Sequence, residues 1–282
     1  MSFVYEKPKS LGEAIAAYAM HSGACPILAG GTDLVVQWRS GVIKLKGVID
    51  VSSLSELKTI SVNDDFIEIG AAATHSEIIS SEVVNKFIPI LATACKTIGA
   101  IQIQNRGTIG GNIMNASPAG DTLPVLSACN AELYVENLVG GRWISIHDFY
   151  TGYRKTSLRK GEILTKIKFP KIPKDEKVRF YKIGTRRALA ISKVAMCVRA
   201  KIDHGGIEDI AIALGSVAPT VVRVKGTEAL LKGKVITKIL IDYARRSLED
   251  EIHPIDDVRS TADYRRHVCG SLIARYLSRI LQ

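Results

Sequence analysis

The sequence predicts an α+β fold. Strand and helix patterns alternate through the first 172 residues, a run of meandering strand patterns follows, and helical patterns close the chain. Ser10 and Glu13 form a capping-box pattern ahead of an apolar-striped helix. "CPILAGG" reads as a short apolar strand running into two glycines, and "GVIDVSS" as another strand. "FIEIGAAAT" alternates and then breaks into small residues, after which Thr74 and Glu77 open a second helix. Residues 86–98 read as a helix interrupted at Pro89. Asp121 can cap a helix that carries Pro124 in its first turns. Further strand patterns are "AELYVEN", "RWISI", "EILTKIKFP", "RFYKIG", "SKVAMCVRAKI" and "IEDIAIALGSV". Helices over 237–249 and 261–281 follow. A cluster of Pro and Lys near 170–177 marks the boundary between two units.

The chain has 282 residues, 46% hydrophobic and 23% charged, which suits two or three compact units. No apolar leader and no run of about 20 apolar residues is present, and the five cysteines are scattered without a C-x-x-C pair. These features predict a cytoplasmic chain with mostly buried, reduced thiols and no cysteine-ligated zinc or cluster of its own. The net charge of +10 is concentrated: residues 154–187 hold thirteen Lys or Arg against three Asp or Glu. That run reads as a solvated face or a dock for an acidic partner. Nucleic-acid binding is the alternative, although no RRM, zinc-finger or helix-turn-helix signature accompanies it.

Two glycine-rich turns stand out, Ala29-Gly30-Gly31-Thr32-Asp33 and Thr108-Ile109-Gly110-Gly111-Asn112. A turn without side chains can bring main-chain amides within hydrogen-bonding distance of phosphate oxygens. Neither turn matches G-x-G-x-x-G or the P-loop pattern, and neither contains a lysine. A single such turn is most simply a tight loop. Two of them, each with a neighbouring hydroxyl or amide, point to a dinucleotide with an extended diphosphate. Triad, paired-carboxylate and metal-spaced histidine patterns are all missing from the sequence, so it offers no catalytic residue and no metal ligand.

"ILAGGTDLVVQ" and "TIGGNIMNASPAGDTLPVL" resemble the paired flavin-binding motifs of the FAD-binding medium subunit of molybdenum hydroxylases, the xanthine and carbon monoxide dehydrogenase family. The resemblance runs through "GAAATHSEI" and "FYKIGTRRALAISKVAMCV" to the last helices. It implies a PCMH-type FAD-binding domain of two α/β subdomains over 1–172, split near 55–60. A small C-terminal domain of antiparallel sheet and helices would occupy 173–282. It also implies non-covalent FAD here, with iron–sulfur clusters and molybdopterin confined to small and large partner subunits. Electrons would pass from those clusters to an acceptor such as NAD, and the lone chain would not turn over a hydroxylase substrate.

Carried onto this sequence, the resemblance places Leu28, Ala29, Gly30, Gly31, Thr32, Asp33 and Leu34 around the diphosphate and adjoining sugar. Thr108, Gly111, Asn112 and Met114 form a second wall, with Ala72, Thr74 and Ile98 near the cofactor. Asp121 would accept from a ribityl or ribose hydroxyl, or cap its helix, or both. Lys182 would approach the pyrimidine edge of the flavin, although it also belongs to the basic run. Some relatives carry an aromatic residue where Ile98 falls, and many carry Asp where Ala190 stands. Arg186 and Arg187 can pair with carboxylates of a neighbouring domain. His75 reads as polar surface at a helix entrance, and Trp38 and Trp143 as packing residues. Two rival readings remain: a self-sufficient flavin reductase of the same fold, and a basic binding module without enzymatic activity.

Overall fold

The computed structural model describes residues 3–21, 23–186 and 188–281. Arg187 lies outside them. Among the described residues the chain begins with a three-stranded parallel sheet in the order Val4–Glu6, Gly47–Asp50, Ile27–Leu28. Parallel neighbours need crossovers, and one is the helix Leu11–Met20, which buries Ala14, Ile15 and Ala17. Ser10 accepts from the Glu13 amide at 3.1 Å, while the Glu13 carboxylate reaches back to the Lys9 amide rather than that of Ser10.

A five-stranded antiparallel sheet follows, in the order Ile60–Val62, Phe66–Gly70, Ile163–Pro170, Glu132–Asn137, Gly140–Ser145. Its inner face, with Ile67, Ile69, Leu133 and Ile167 fully buried, packs against the helices between residues 75 and 128. The helix expected over 86–98 is two helices, Glu82–Phe87 and Pro89–Cys95. Pro89 has no amide to donate, so it starts the second helix rather than bending the first. The helix Leu123–Ala128 is buried along all six residues; its N-cap is Thr122, and Asp121 does not cap it. That burial places the helix between the five-stranded sheet and a four-stranded antiparallel sheet, whose Cys197, Ala211 and Ala213 share the same core.

This last sheet runs Lys177–Ile183, Val194–Asp203, Gly206–Gly215, Val222–Arg223. Its other face is covered by the helices Lys238–Glu251 and Ala262–Leu281, through Ile241, Leu248, Ile273 and Leu277. The five cysteines are free and buried. The tryptophans are not core residues: Trp38 is 43% exposed and stacks on Phe3, and Trp143 is 38% exposed against Tyr134. Arg186 is held by its own loop, donating to the Ala188 and Leu189 carbonyls. No helix among the described residues is long and apolar enough to cross a membrane.

Candidate cofactor site

The first glycine turn leaves the strand Ile27–Leu28 and enters the helix Leu34–Arg39. Gly31 sits at φ +75°, a conformation that side-chain-bearing residues rarely adopt. Among the described residues, the amides of Gly30, Gly31, Thr32 and Asp33 find no carbonyl partner. These donors, with those of Ala29 and Leu34 beside them, stand open at the entrance of a helix, where a ligand can take them.

The second glycine run is built differently. Thr74 opens the helix His75–Ser80 with a complete capping box, its side chain bonding the Glu77 amide and carboxylate. The residues just before and within that cap then bind the second run: the His75 amide donates to the Gly107 carbonyl, Ile109 to Ala73 and Gly110 to Ala71. Gly110 must be glycine, because a Cβ there would lie 2.5 Å from the Ala71 carbonyl oxygen. The Gly111 amide is taken by Thr108 Oγ1 at 3.0 Å, and that of Asn112 by the Thr108 carbonyl. The amides of Ile109 to Asn112 thus serve the protein; among the described residues only that of Thr108 finds no partner in this turn, and the wall otherwise offers surface and side chains. The expectation that the second turn, like the first, presents a row of free amides fails: four of its five amides are already bonded within the protein.

Between the two turns lies a cavity of about 400 Å³, within the range of small-molecule and cofactor sites. The first turn contributes Ala29, Gly30, Gly31, Thr32, Asp33 and Leu34 to it. Thr108, Gly111, Asn112 and Met114 line the second wall, with Ala72 and Ile98 beside them. Leu28, Thr74, Asp121 and Lys182 are not lining residues. Lys182 Nζ donates to Asp121 Oδ2 at 2.5 Å and to the Thr97 carbonyl at 2.7 Å, while Ser192 Oγ donates to Asp121 Oδ1. Burial pushes the Asp121 carboxyl up, against the opposing pull of Lys182 and Ser192. The two residues given flavin contacts in the sequence reading therefore hold each other, with Lys182 also bound to the carbonyl of Thr97, the neighbour of Ile98.

Sequence reasoning missed three groups. Asn115 Nδ2 donates to Asp33 Oδ1 at 3.1 Å and so bridges the two walls; burial raises the Asp33 carboxyl, which Arg154 partly offsets. A third wall comes from Leu158, Glu162, Ile163 and Leu164. Glu162, 5% exposed, takes a two-pronged bond from Arg142 at 2.7 and 2.9 Å, and that hydrogen bonding leads in holding its carboxyl below the usual range. His75 also lines the cavity; it is 2% exposed, so it is not surface. Burial pulls its imidazole down to about 4.

No Lys or Arg is among the described lining residues. The open amides suit an anionic centre, and the apolar lining suits rings or chains on either side of it. A flavin dinucleotide meets that description.

Comparison with known proteins places the chain among relatives along nearly its full length. Residues 1–172 match the family described as FAD binding domain in molybdopterin dehydrogenase. Residues 179–280 match the CO dehydrogenase flavoprotein C-terminal domain. The chain is 33% identical over 268 residues to the glyceraldehyde dehydrogenase medium chain of Sulfolobus acidocaldarius, covering 94% of each. It is 31% identical to the carbon monoxide dehydrogenase medium chain of Hydrogenophaga pseudoflava, covering 98% of this chain and 96% of that one. A solved structure of carbon monoxide dehydrogenase from the same organism superposes with a TM-score of 0.93 at 30% identity, covering 98% of this chain and 96% of that one. With its side-chain-poor cradle, its sheet-and-helix C-terminal unit and these matches along nearly its full length, the chain belongs to the FAD-binding medium subunits of molybdenum hydroxylases.

Proposed function

We propose that this chain is the electron-transfer subunit of a molybdenum hydroxylase complex, carrying electrons from iron–sulfur clusters of a small partner subunit to an external acceptor such as NAD. The substrate would be oxidised on a large molybdopterin-binding subunit, in the cytoplasm. FAD supplies the redox capacity, accepting and releasing electrons singly or in pairs. The chain's own residues bind and orient it. The observation that carries this reading is the row of amides from Gly30 to Asp33, unpartnered among the described residues, at a cavity whose described lining has no Lys or Arg. These amides would hold the diphosphate. Asn112, Thr108 and Met114 would support it from the opposite wall, and Ile163 and Leu164 would exclude water on the third. Residues 1–172 would form the FAD-binding unit and 173–282 the C-terminal unit. Lys182, held by Asp121 and the Thr97 carbonyl, would bring its charge toward the flavin ring from the C-terminal sheet.

Reconstitution tests the reading. The flavin-loaded chain alone should not oxidise a hydroxylase substrate or NADPH. Mixed with its two partner subunits and substrate, it should bleach in the visible and recover when the acceptor is added. Turnover of NADPH by the lone chain would favour a self-sufficient reductase instead.

A further inference from the structure

His75 and Cys95 form a buried pair that no motif marks. Cys95 Sγ lies 3.6 Å from His75 Nδ1, and both residues are enclosed, at 0% and 2% exposure. Nδ1 therefore faces the core. The opposite, Cδ2–Nε2 edge of the ring faces the turns: the position a Gly107 Cβ would occupy lies 3.2 Å from His75 Cδ2 and 3.4 Å from Thr32 Oγ1. Nε2 makes no hydrogen bond to the described residues, and His75 lines the cavity.

The protonation state follows from the surroundings. Burial, aided by the Asp121 carboxylate, keeps the Cys95 thiol protonated. Burial also keeps the imidazole neutral at ordinary pH. Of the two groups, the ring nitrogen is the better acceptor and the thiol sulfur the poorer one. The S–H thus donates to Nδ1, which leaves the ring proton on Nε2.

We infer that His75 is a cofactor-binding residue, its Nε2–H held toward the cavity by the Cys95 thiol and donating to the diphosphate beside Thr32. The inference rests on the reading that this cavity holds FAD. A neutral donor suits the site: it adds a directed hydrogen bond to the amide row without the desolvation that a buried cation would require. Cys95 acts as a positioning residue, since it fixes which ring nitrogen carries the proton.

Two measurements on the full chain test this. In the first, protein labelled with ¹⁵N in its histidine rings and stripped of flavin is examined by ¹H–¹⁵N correlation. His75 should appear as the Nε2–H tautomer, and its Nε2 signal should move when FAD is added. An Nδ1–H tautomer, or a ring unmoved by FAD, would overturn the inference. The second measurement is FAD affinity by fluorescence quenching. Loss of one hydrogen bond to a charged acceptor should weaken binding about tenfold or more in His75→Phe. His75→Gln, whose amide can donate from nearly the same place, should recover most of the loss, and Cys95→Ala should fall between. A His75→Phe variant that binds like the parent, or a His75→Gln variant as weak as His75→Phe, contradicts the assignment. Ala29→Phe, which fills the cavity, serves as the control. If it too leaves FAD binding intact, the cavity reading fails; if it abolishes binding while His75→Phe does not, only the role of His75 fails.

Discussion

The carbonyl oxygen of Arg106 lies 1.9 Å from the point where Gly30 would carry a Cβ. The two glycine segments, some 76 residues apart in sequence, meet there backbone to backbone, and their contact sets the spacing of the cavity walls. Gly30→Ala must push them apart, because a carbonyl in the main chain cannot swing aside like a flexible side chain. The variant should purify with little flavin and with a lowered melting temperature. Flavin absorbance per polypeptide, read against wild type, checks this.

Lys182 and Asp121 are nearly buried, so removing one leaves the other charged and unpaired. Lys182→Met should cost about 3 kcal/mol, in line with other broken buried pairs. The double variant Lys182→Met, Asp121→Asn should recover part of that loss, because the uncompensated charge is gone. Urea denaturation of the four proteins closes the cycle.

His75 gives folding a pH dependence with a defined sign. Its folded-state value, about 4, lies below its ordinary 6.5, so the unfolded chain binds the proton more tightly. Stability from this group is complete above pH 6.5 and is lost as pH falls toward 4. The full shift corresponds to about 3 kcal/mol. Other groups titrate in the same window, so the test is the difference between wild type and His75→Gln. That difference should move in favour of the variant as the apoprotein is acidified, by denaturant titration at several pH values.

Arg142 acts on the cavity through Glu162. Arg142→Ala should destabilise the protein by about 2 kcal/mol, the scale of hydrogen bonds to a charged group, and should weaken FAD binding by loosening the wall at Ile163 and Leu164. The Glu162 carboxyl is held below its ordinary 4.5, chiefly by hydrogen bonding from Arg142. The stability it contributes is therefore present above that pH and is lost as pH falls through the lowered folded-state value. The gap between wild type and Arg142→Ala should narrow on acidification. A gap that stays constant across that range would place the effect elsewhere.

Much of this site was legible in the sequence, for a physical reason. Side-chain-poor turns have few other uses when two occur in order, and the capping residues Ser10 and Thr74 bond locally, so spacing alone reveals them. The third wall was not legible. Ile163 and Leu164 look like any buried strand, and only the pairing of their strand with Phe66–Gly70 brings them near the first turn. The roles of Asp121 and Lys182 depend on a partner 61 residues away, which sequence spacing does not supply. His75 was misjudged because its helix entrance looks polar, whereas the Gly107 carbonyl and the Cys95 thiol enclose it. The second glycine run differs in mechanism: its amides from Ile109 to Asn112 bond Ala71, Ala73 and Thr108, which no local pattern shows.

A crystal structure of the flavin-loaded chain tests the central claim most directly. The account predicts the FAD diphosphate against the amides of Gly30 to Asp33, with the Thr108–Asn112 segment on its opposite side. A diphosphate bound elsewhere, with those amides left facing water, would contradict it.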